Sequence, residues 1–250
     1  MSTKPLIIFD SGIGGLSILK VLLQVPFRPE LLYFADQAYF PYGSQSAQFL
    51  RYRLFKLFSW FAEYNPLAVV VACNTATTVS LAKLRQKFNF PLIGVEPVIK
   101  PLSKFSPSLL LATPVTLKSA RTQSLIKRYQ PNQLYLHPSK NLASYIETMQ
   151  FDKINQTLNL IKAEYNLKFK AIGLSCTHYP LIQDLISQTF PSSQIIEPSL
   201  AVVDHLLKVL PQFPPSNIIR WLTTYKPQFL AKQVDFYLNL KVKPLLATLG

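Results

Sequence analysis

Residues 69–87 have the sequence VVVACNTATTVSLAKLRQK, and this stretch decides the fold class. The β-branched run before Cys73 predicts a buried strand, and the mixture of apolar and charged residues after Thr77 predicts an amphipathic helix. The turn between them places Cys73 at the carboxyl end of the strand, where open α/β sheets bind ligands. The positive end of the helix favours a thiolate there. A small buried core cysteine is the equally plain alternative, and this stretch alone leaves both open.

A second stretch repeats the arrangement. Residues 171–180, AIGLSCTHYP, place Cys176 after an apolar strand, Thr177 directly after it, and an apolar helical pattern beyond. The chain has 2 cysteines and 3 histidines. Two cysteines in a chain of this length do not make a disulfide scaffold, and a zinc site needs more ligands at suitable spacing. We therefore expect two thiols that face one cleft, and no metal site.

Length and composition limit the class of protein. A chain of 250 residues suits one large domain or two smaller ones. Its 49% of hydrophobic residues excludes disorder, and no apolar stretch approaches the roughly 18 residues of a membrane helix. The apolar run at residues 5–9 ends at Asp10, which argues against a signal peptide. We expect a soluble cytoplasmic protein with no membrane partner.

The net charge of +14 brings nucleic acid into consideration as a partner. Lys and Arg are scattered, however, with no run longer than two, and the surplus arises because acidic residues number only 12 against 26 basic ones. A diffuse positive surface also attracts a small dianionic substrate, weakly at cellular salt. We do not expect nucleic acid as a specific partner.

Strands and helices alternate along the whole chain. Strands are predicted at residues 6–9, 31–35, 91–95, 109–112, 133–136 and 193–196, the last as the final strand. Helices are predicted at residues 47–63, 117–129, 142–149 and 152–165, with a crossover at residues 97–101. This alternation predicts an α/β protein with mainly parallel sheets, in which Asp10, Asp36 and Thr113 join the two cysteines at the polar rim.

The turn after the first strand concentrates glycine. Three of the 7 glycines, Gly12, Gly14 and Gly15, fall between Asp10 and the following helix. Such a turn lets backbone N–H groups approach a ligand closely. A dinucleotide site would need a different glycine spacing, so the turn alone assigns no cofactor.

Five motifs follow one another along the chain. They are DSGIGGL at residues 10–16, PYG at residues 41–43 with Ser46, ACNTAT at residues 72–77, ATPVT at residues 112–116 and CTHYP at residues 176–180. In this order, they resemble the glutamate racemase family. The resemblance spans nearly the whole chain and includes the ending LLATLG. It implies two similar α/β domains with the active site in the cleft between them. The first would comprise residues 1–97 and 208–250, and the second residues 98–207.

The resemblance implies a racemase that needs no cofactor and supplies D-glutamate for peptidoglycan. Cys73 would handle the proton of D-glutamate with Asp10 beside it, and Cys176 that of L-glutamate with His178 and Glu147 beside it. Two thiols on opposite faces of one carbon suffice for racemisation. The residues implied in substrate binding are Asp10, Ser11, Pro41, Tyr42, Gly43, Ser44, Cys73, Asn74, Thr75, Thr113, Thr116, Cys176, Thr177 and His178.

Several alternatives stay open. A related amino-acid racemase, such as one for aspartate, shares the superfamily, and a non-catalytic basic binding protein could keep the fold. The chain departs from the usual pattern of the family at Ala35, Val115 and Ser175, which leaves the effect on substrate preference open. The resemblance also leaves open whether the chain forms a homodimer and whether a cell-wall precursor activates it.

Overall fold

The computed structural model describes residues 4–248, so residues 1–3 and the last two residues of LLATLG lie outside the described part. Two sheets organise it, and all of their strand pairs are parallel, which confirms the predicted fold class. Most strands are buried on both faces, as parallel sheets covered by helices require. Among the helices of residues 4–248, none combines the length and apolarity needed to cross a bilayer.

The first sheet has six strands in the order β10-β9-β2-β1-β3-β4. They are β1 (Leu6–Asp10), β2 (Leu31–Ala35), β3 (Ala68–Val71), β4 (Leu92–Gly94), β9 (Ile219–Thr223) and β10 (Leu245–Leu246). The second sheet has four strands in the order β6-β5-β7-β8. They are β5 (Ser108–Ala112), β6 (Leu134–Pro138), β7 (Ala171–Ser175) and β8 (Gln194–Ile196).

Both sheets share one topology. In the first sheet, β2 lies on one side of β1, and β3 and β4 lie on the other. In the second sheet, β6 lies on one side of β5, and β7 and β8 lie on the other. We call each set of four strands a unit. Ligands bind at the carboxyl ends of the strands where the order reverses, which is between β1 and β3 and between β5 and β7. Cys73 follows β3 and Cys176 follows β7. The two cysteines therefore occupy equivalent positions in two repeated units.

Eleven α-helices within residues 4–248 cover the sheets. They are α1 (Leu16–Leu22), α2 (Ala47–Ala62), α3 (Asn74–Lys87), α4 (Ile99–Leu102), α5 (Pro114–Lys118), α6 (Ala120–Tyr129), α7 (Leu142–Glu147), α8 (Phe151–Tyr165), α9 (Gln183–Thr189), α10 (Ser199–Val209) and α11 (Pro227–Leu238). Short 3₁₀ helices lie at Gln37–Tyr39, Tyr42–Ser44 and Tyr179–Ile182. One core packs α1, α10 and α11 against the first sheet, and another packs α2 and α3 against its opposite face.

Two sequence expectations about elements are wrong. The single helix predicted at residues 117–129 is two helices, because Ser119 is extended and its hydroxyl accepts a hydrogen bond from the Thr122 N–H to start α6 afresh. The strand predicted at residues 193–196 is not the final one, since β9 pairs with β2 in the first sheet and β10 pairs with β9. The division into residues 1–97 with 208–250 and residues 98–207 stays a prediction.

Candidate active site

The carboxyl ends of the two sheets face each other across a small cavity. Cys73 and Cys176 both line it. The volume open to the centres of water molecules is about 20 Å³, which is room for about one water. The remaining lining residues are Ser11, Phe40, Pro41, Tyr42, Gly43, Asn74, Thr75, Thr113, Ala143, Thr177 and His178.

Cys73 caps the helix that follows it. Its Sγ accepts from the Ala76 N–H at 3.5 Å and lies 3.7 Å from Ser11 Oγ. Burial, with the negative charge of Asp10, raises the pKa of Cys73 to about 12 despite these two contacts. The expectation that the helix end favours a thiolate is therefore wrong for this closed arrangement, because desolvation outweighs the helix end. The closed arrangement therefore favours the thiol form of Cys73.

Cys176 has an imidazole as its neighbour. His178 Nδ1 lies 4.0 Å from Cys176 Sγ, and His178 Nε2 lies 2.8 Å from Glu147 Oε2. Burial by itself lowers the pKa of His178, but the hydrogen bonds and charges of Cys176 and Glu147 outweigh it and raise this pKa well above its ordinary value. His178 is therefore a cation held between a sulfur and a carboxylate.

Asp10 ends β1 with no exposed surface. Its Oδ1 accepts from the Gly12 N–H at 2.7 Å and its Oδ2 from the Thr177 hydroxyl at 2.8 Å, while Ser11 Oγ is 3.5 Å from Oδ1. Burial raises the pKa of Asp10 to about 6, and the His178 charge and the hydrogen bonds oppose that rise. Asp10 can therefore exchange a proton near neutral pH.

The glycine turn allows the two units to meet. A Cβ on Gly12 would contact the Glu147 carboxylate, and one on Gly14 would contact Thr177 Oγ1 and lie 2.6 Å from His178 Nδ1. No glycine of the described residues has a positive φ. The glycines are thus required by close approach, and the Gly12 and Ile13 N–H groups bind the protein's own Asp10 and Glu147 carboxylates.

Hydroxyl groups gather on one side of the cavity. Thr75 Oγ1 lies 3.1 Å from Thr113 Oγ1 and 3.2 Å from Thr116 Oγ1, so α3 and α5 contribute to one cluster. Asn74 Nδ2 donates to the Val95 carbonyl at 2.9 Å. Asn74 Oδ1 is buried and has no hydrogen-bond partner among the described residues. That oxygen is an acceptor available to a ligand.

The ion pair between Asp36 and Arg53 holds the turn at residues 41–43 in place through Tyr42. Tyr42 Oη donates to Asp36 Oδ2 at 2.5 Å, and Arg53 binds both oxygens of Asp36, at 2.9 Å through Nε and 2.6 Å through Nη2. Asp36 is fully buried, so the bidentate pairing satisfies a charge that would otherwise be expensive. Gly43 packs against Thr113, where a Cβ would lie 2.9 Å from the Thr113 Cβ.

Four of the predicted site residues do not line the cavity. Asp10, Thr116 and Glu147 lie directly behind it, in contact with Thr177, Thr113 and His178 respectively. Ser44 is exposed, and its hydroxyl donates to the Pro41 carbonyl. None of the departures at Ala35, Val115 and Ser175 lines the cavity, and Ser175 Oγ accepts from the Val98 N–H at 3.1 Å.

Sequence reasoning missed four residues. Phe40 and Ala143 line the cavity, and the Phe40 ring centre lies 5.2 Å from that of His178. Gln37 and Gln233 contact Glu147. A polar residue two positions after the end of β2 was the available signal for Gln37. A glutamine on the apolar face of α11 was the signal for Gln233.

Residues 4–248 contain no group of three His, Cys, Asp or Glu side chains placed to hold a metal ion. The acidic, basic and sulfur groups of the cavity instead form two chains. One joins Cys73 through Ser11 to Asp10, and the other joins Cys176 through His178 to Glu147. Each chain ends in a carboxylate, so each thiol has a nearby group with which to exchange a proton.

No protein-family model matches the chain. The chain is 36% identical over 251 residues to the glutamate racemase of Bartonella bacilliformis, covering 94% of this chain and 92% of that one. It is 34% identical over 215 residues to the glutamate racemase of Stutzerimonas stutzeri, with 82% and 81% covered. A crystal structure of Escherichia coli glutamate racemase, in complex with L-glutamate and the activator UDP-MurNAc-Ala, has 28% identity and a TM-score of 0.85 over 99% of this chain and 100% of that one.

Proposed function

The chain belongs to the glutamate racemase family, and on that premise we propose that Cys73 and Cys176 are the two groups that exchange protons with the substrate Cα. The family supplies D-glutamate for peptidoglycan. One observation carries the proposal. The two cysteines of the chain follow the third strands of two repeated units and line the same cavity from opposite sheets.

The reaction in the direction of D-glutamate begins at Cys176. Its thiolate removes the Cα proton of L-glutamate and becomes a thiol, while the electron pair passes into the substrate carboxylate. The Cys73 thiol then delivers its proton to the opposite face of Cα and becomes a thiolate. The raised pKa of Cys73 fits this role, because the thiol is protonated when L-glutamate binds. The reverse direction uses the same groups in the opposite order.

Each thiol returns to its starting state through its own neighbours. Asp10, with a pKa of about 6, re-protonates Cys73 through Ser11, whose hydroxyl lies 3.7 Å from the sulfur and 3.5 Å from the carboxylate. Cys176 has to lose the proton that it took from the substrate. His178 accepts it at Nδ1 as its own Nε2 proton passes to Glu147 Oε2, which lies 2.8 Å away. Both routes use groups that are already within or near hydrogen-bond range.

The polar groups of the cavity suit an amino acid with a second carboxylate. The unpartnered Asn74 Oδ1 would accept from the substrate ammonium. The hydroxyls of Thr75 and Thr113 and the turn at residues 41–43 would donate to its carboxylates. Thr116 lies behind the cavity and would hold these two hydroxyls in place. Within this set, Tyr42 is engaged by Asp36, so its role is to hold the turn rather than to donate its own hydroxyl to substrate.

Two further expectations concern activation and assembly. The Escherichia coli racemase structure contains UDP-MurNAc-Ala as an activator, and we extend activation by such a precursor to this chain. We also keep the homodimer as a prediction. Kinetics with and without UDP-MurNAc-Ala, and sedimentation of the protein alone, check the two expectations separately.

The test of function is a racemisation assay on four substrates. L- and D-glutamate and L- and D-aspartate are incubated with the protein and the enantiomers are separated chromatographically. We expect interconversion of glutamate, without added pyridoxal phosphate and with no loss in a chelator. A preference for aspartate would support the related-racemase alternative. Activity that a chelator removes and zinc restores would contradict the two-thiol mechanism.

A further inference from the structure

The Glu147 carboxylate is held by hydrogen-bond donors on both oxygens. Its Oε2 accepts from the Ile13 N–H at 3.0 Å and faces His178 Nε2 at 2.8 Å. Its Oε1 accepts from Gln37 Nε2 at 2.6 Å and lies 3.3 Å from Gln233 Nε2. The carboxylate is almost fully buried, so few other arrangements would satisfy its charge.

The orientation of the Gln37 amide is fixed at both ends. Its Nε2 also donates to Gln233 Oε1 at 2.8 Å, which uses its second hydrogen. Its Oε1 accepts from the Thr223 hydroxyl at 2.8 Å. Gln37 follows β2 and Thr223 ends β9, and these strands are neighbours in the first sheet. The first sheet therefore presents an N–H to a carboxylate that belongs to α7 of the other unit.

Gln233 also binds the carboxyl-terminal end of α7. Gln233 Nε2 donates to the Glu147 carbonyl at 2.6 Å, and Tyr237 Oη donates to the Ile146 carbonyl at 2.9 Å. These are carbonyls of the last turn of a helix, where the regular intrahelical hydrogen bonds end. The Ile146 carbonyl also accepts from the Met149 N–H at 3.1 Å. Gln233 and Tyr237 are one turn apart on α11, so a single face of that helix caps α7 and touches the Glu147 side chain.

We propose that Gln37 and Gln233 form an amide clamp that positions Glu147, and through it His178, for the half of the reaction carried out by Cys176. This inference rests on the proposed function. Gln37 and Gln233 touch neither the cavity nor Cys176, so they are positioning residues. The other thiol has its own chain through Ser11 and Asp10, which the clamp does not touch.

Loss of the clamp should therefore impair proton transfer by Cys176 and leave proton transfer by Cys73 unchanged. Without the clamp, Glu147 Oε1 loses two donors and the carboxylate turns away from His178 to find others. His178 then no longer points Nδ1 at Cys176. Complete racemisation cannot reveal this, because the two enantiomers have equal energy and kcat/KM must stay equal in both directions. A reaction that needs only one base is required.

Elimination from 3-chloroglutamate provides that reaction. A thiolate removes the Cα proton, chloride leaves from the β-carbon, and the resulting enamine hydrolyses to a 2-oxo acid and ammonia. We expect Gln37→Met and Gln233→Met to slow elimination from the L-configured compound about 10- to 100-fold, which is the effect of losing a hydrogen bond to a charged group. Elimination from the D-configured compound should change less than twofold.

Two further variants serve as a milder change to the clamp and as a control outside it. Thr223→Val removes the hydroxyl that orients Gln37, which also accepts from the Tyr225 N–H at 3.2 Å. Because both glutamines stay in place, it should give a smaller loss on the same side even where a glutamine variant folds poorly. Gln123→Met removes an amide that donates to the Leu117 carbonyl, outside the clamp, and should change neither rate. Equal losses for both configurations, or no loss for L, would overturn the clamp. Failure of Cys176→Ala to slow the L reaction would instead overturn the proposed function.

Discussion

At the scale of single residues, the two thiols have equivalent positions and different neighbours. Cys73 is backed by a hydroxyl and a carboxylate, and burial leaves it protonated. Cys176 is backed by a cationic His178 that is itself held by Glu147. The repeated topology therefore supplies the symmetry of the site, and individual side chains give each face its own proton chemistry.

Replacing one thiol should separate the two faces. Cys73→Ala and Cys176→Ala should each lower racemisation by at least roughly 10²- to 10⁴-fold, the contribution of a positioned acid or base. Cys73→Ala should retain elimination from L-3-chloroglutamate, and Cys176→Ala elimination from the D compound. The four elimination rates check this. Equal loss for both enantiomers in both variants would contradict the assignment of the faces, and full racemase activity in either would contradict the mechanism.

Asp10 makes stability depend on pH. Its folded-state pKa of about 6 lies above the ordinary 3.8, so its stabilising contribution is complete below pH about 3.8 and is lost as the pH rises through about 6. At pH 7 the buried carboxylate lowers the free energy of unfolding by at most about 3 kcal/mol relative to acid pH.

Asp10→Asn should therefore gain stability relative to the unmodified chain between pH 4 and pH 7, while racemisation falls. Denaturant unfolding of both proteins at several pH values measures the difference. Stability curves that run parallel across this range would show that the pKa of Asp10 is not raised by folding.

The sequence identified these residues because thiols, a carboxylate and hydroxyls follow strand ends, where parallel sheets gather them. It could not show that Tyr42 is engaged by Asp36 or that Ser44 faces solvent, since both depend on how a turn packs. The expectation of a thiolate at Cys73 was wrong for the same reason. A helix end is visible in a sequence, whereas the degree of desolvation is set by the whole fold.

At the scale of elements, the turn between β1 and α1 determines how closely the two units approach. Its glycines leave space for Glu147, Thr177 and His178, and its Ile13 N–H binds Glu147 across the interface. The strands of the first 200 residues were predictable because they are apolar runs that end in turns. The break at Ser119 and the strand β9 were not, because a cap and a partly exposed strand give weak local signals.

Gly14→Ala should abolish most activity. The added methyl would contact Thr177 Oγ1 and approach His178 Nδ1 to 2.6 Å, so both residues after Cys176 must shift. Gly15→Ala is the matched control in the same turn, since its nearest contacts would be 3.2 Å away. We expect a fall of at least about 10²-fold in kcat/KM for Gly14→Ala and a much smaller one for Gly15→Ala. Comparable activities of the two variants would show that the close approach is not required.

At the scale of the whole molecule, the net charge of +14 comes from Lys and Arg residues that are scattered along the sequence, with no run longer than two. Any association with DNA should therefore be weak, independent of sequence and lost steeply as salt increases. Binding to unrelated duplexes, measured by fluorescence anisotropy across a salt series, checks this. Tight binding to one sequence at physiological salt would favour the nucleic-acid alternative.

The cavity between the two sheets has room for about one water, whereas glutamate is far larger. The walls of the cavity must therefore move apart each time a substrate enters or a product leaves. We expect the contacts of Asp10 with Thr177 and of Ile13 with Glu147, which join the two units, to open in this motion. The rate of such a rearrangement falls as the viscosity of the solvent increases, and such rearrangements commonly limit turnover. We expect kcat to fall as sucrose increases the viscosity, with only a small isotope effect from deuterium at Cα. A kcat that is independent of viscosity and shows the full isotope effect would show that proton transfer at Cα is the slow step.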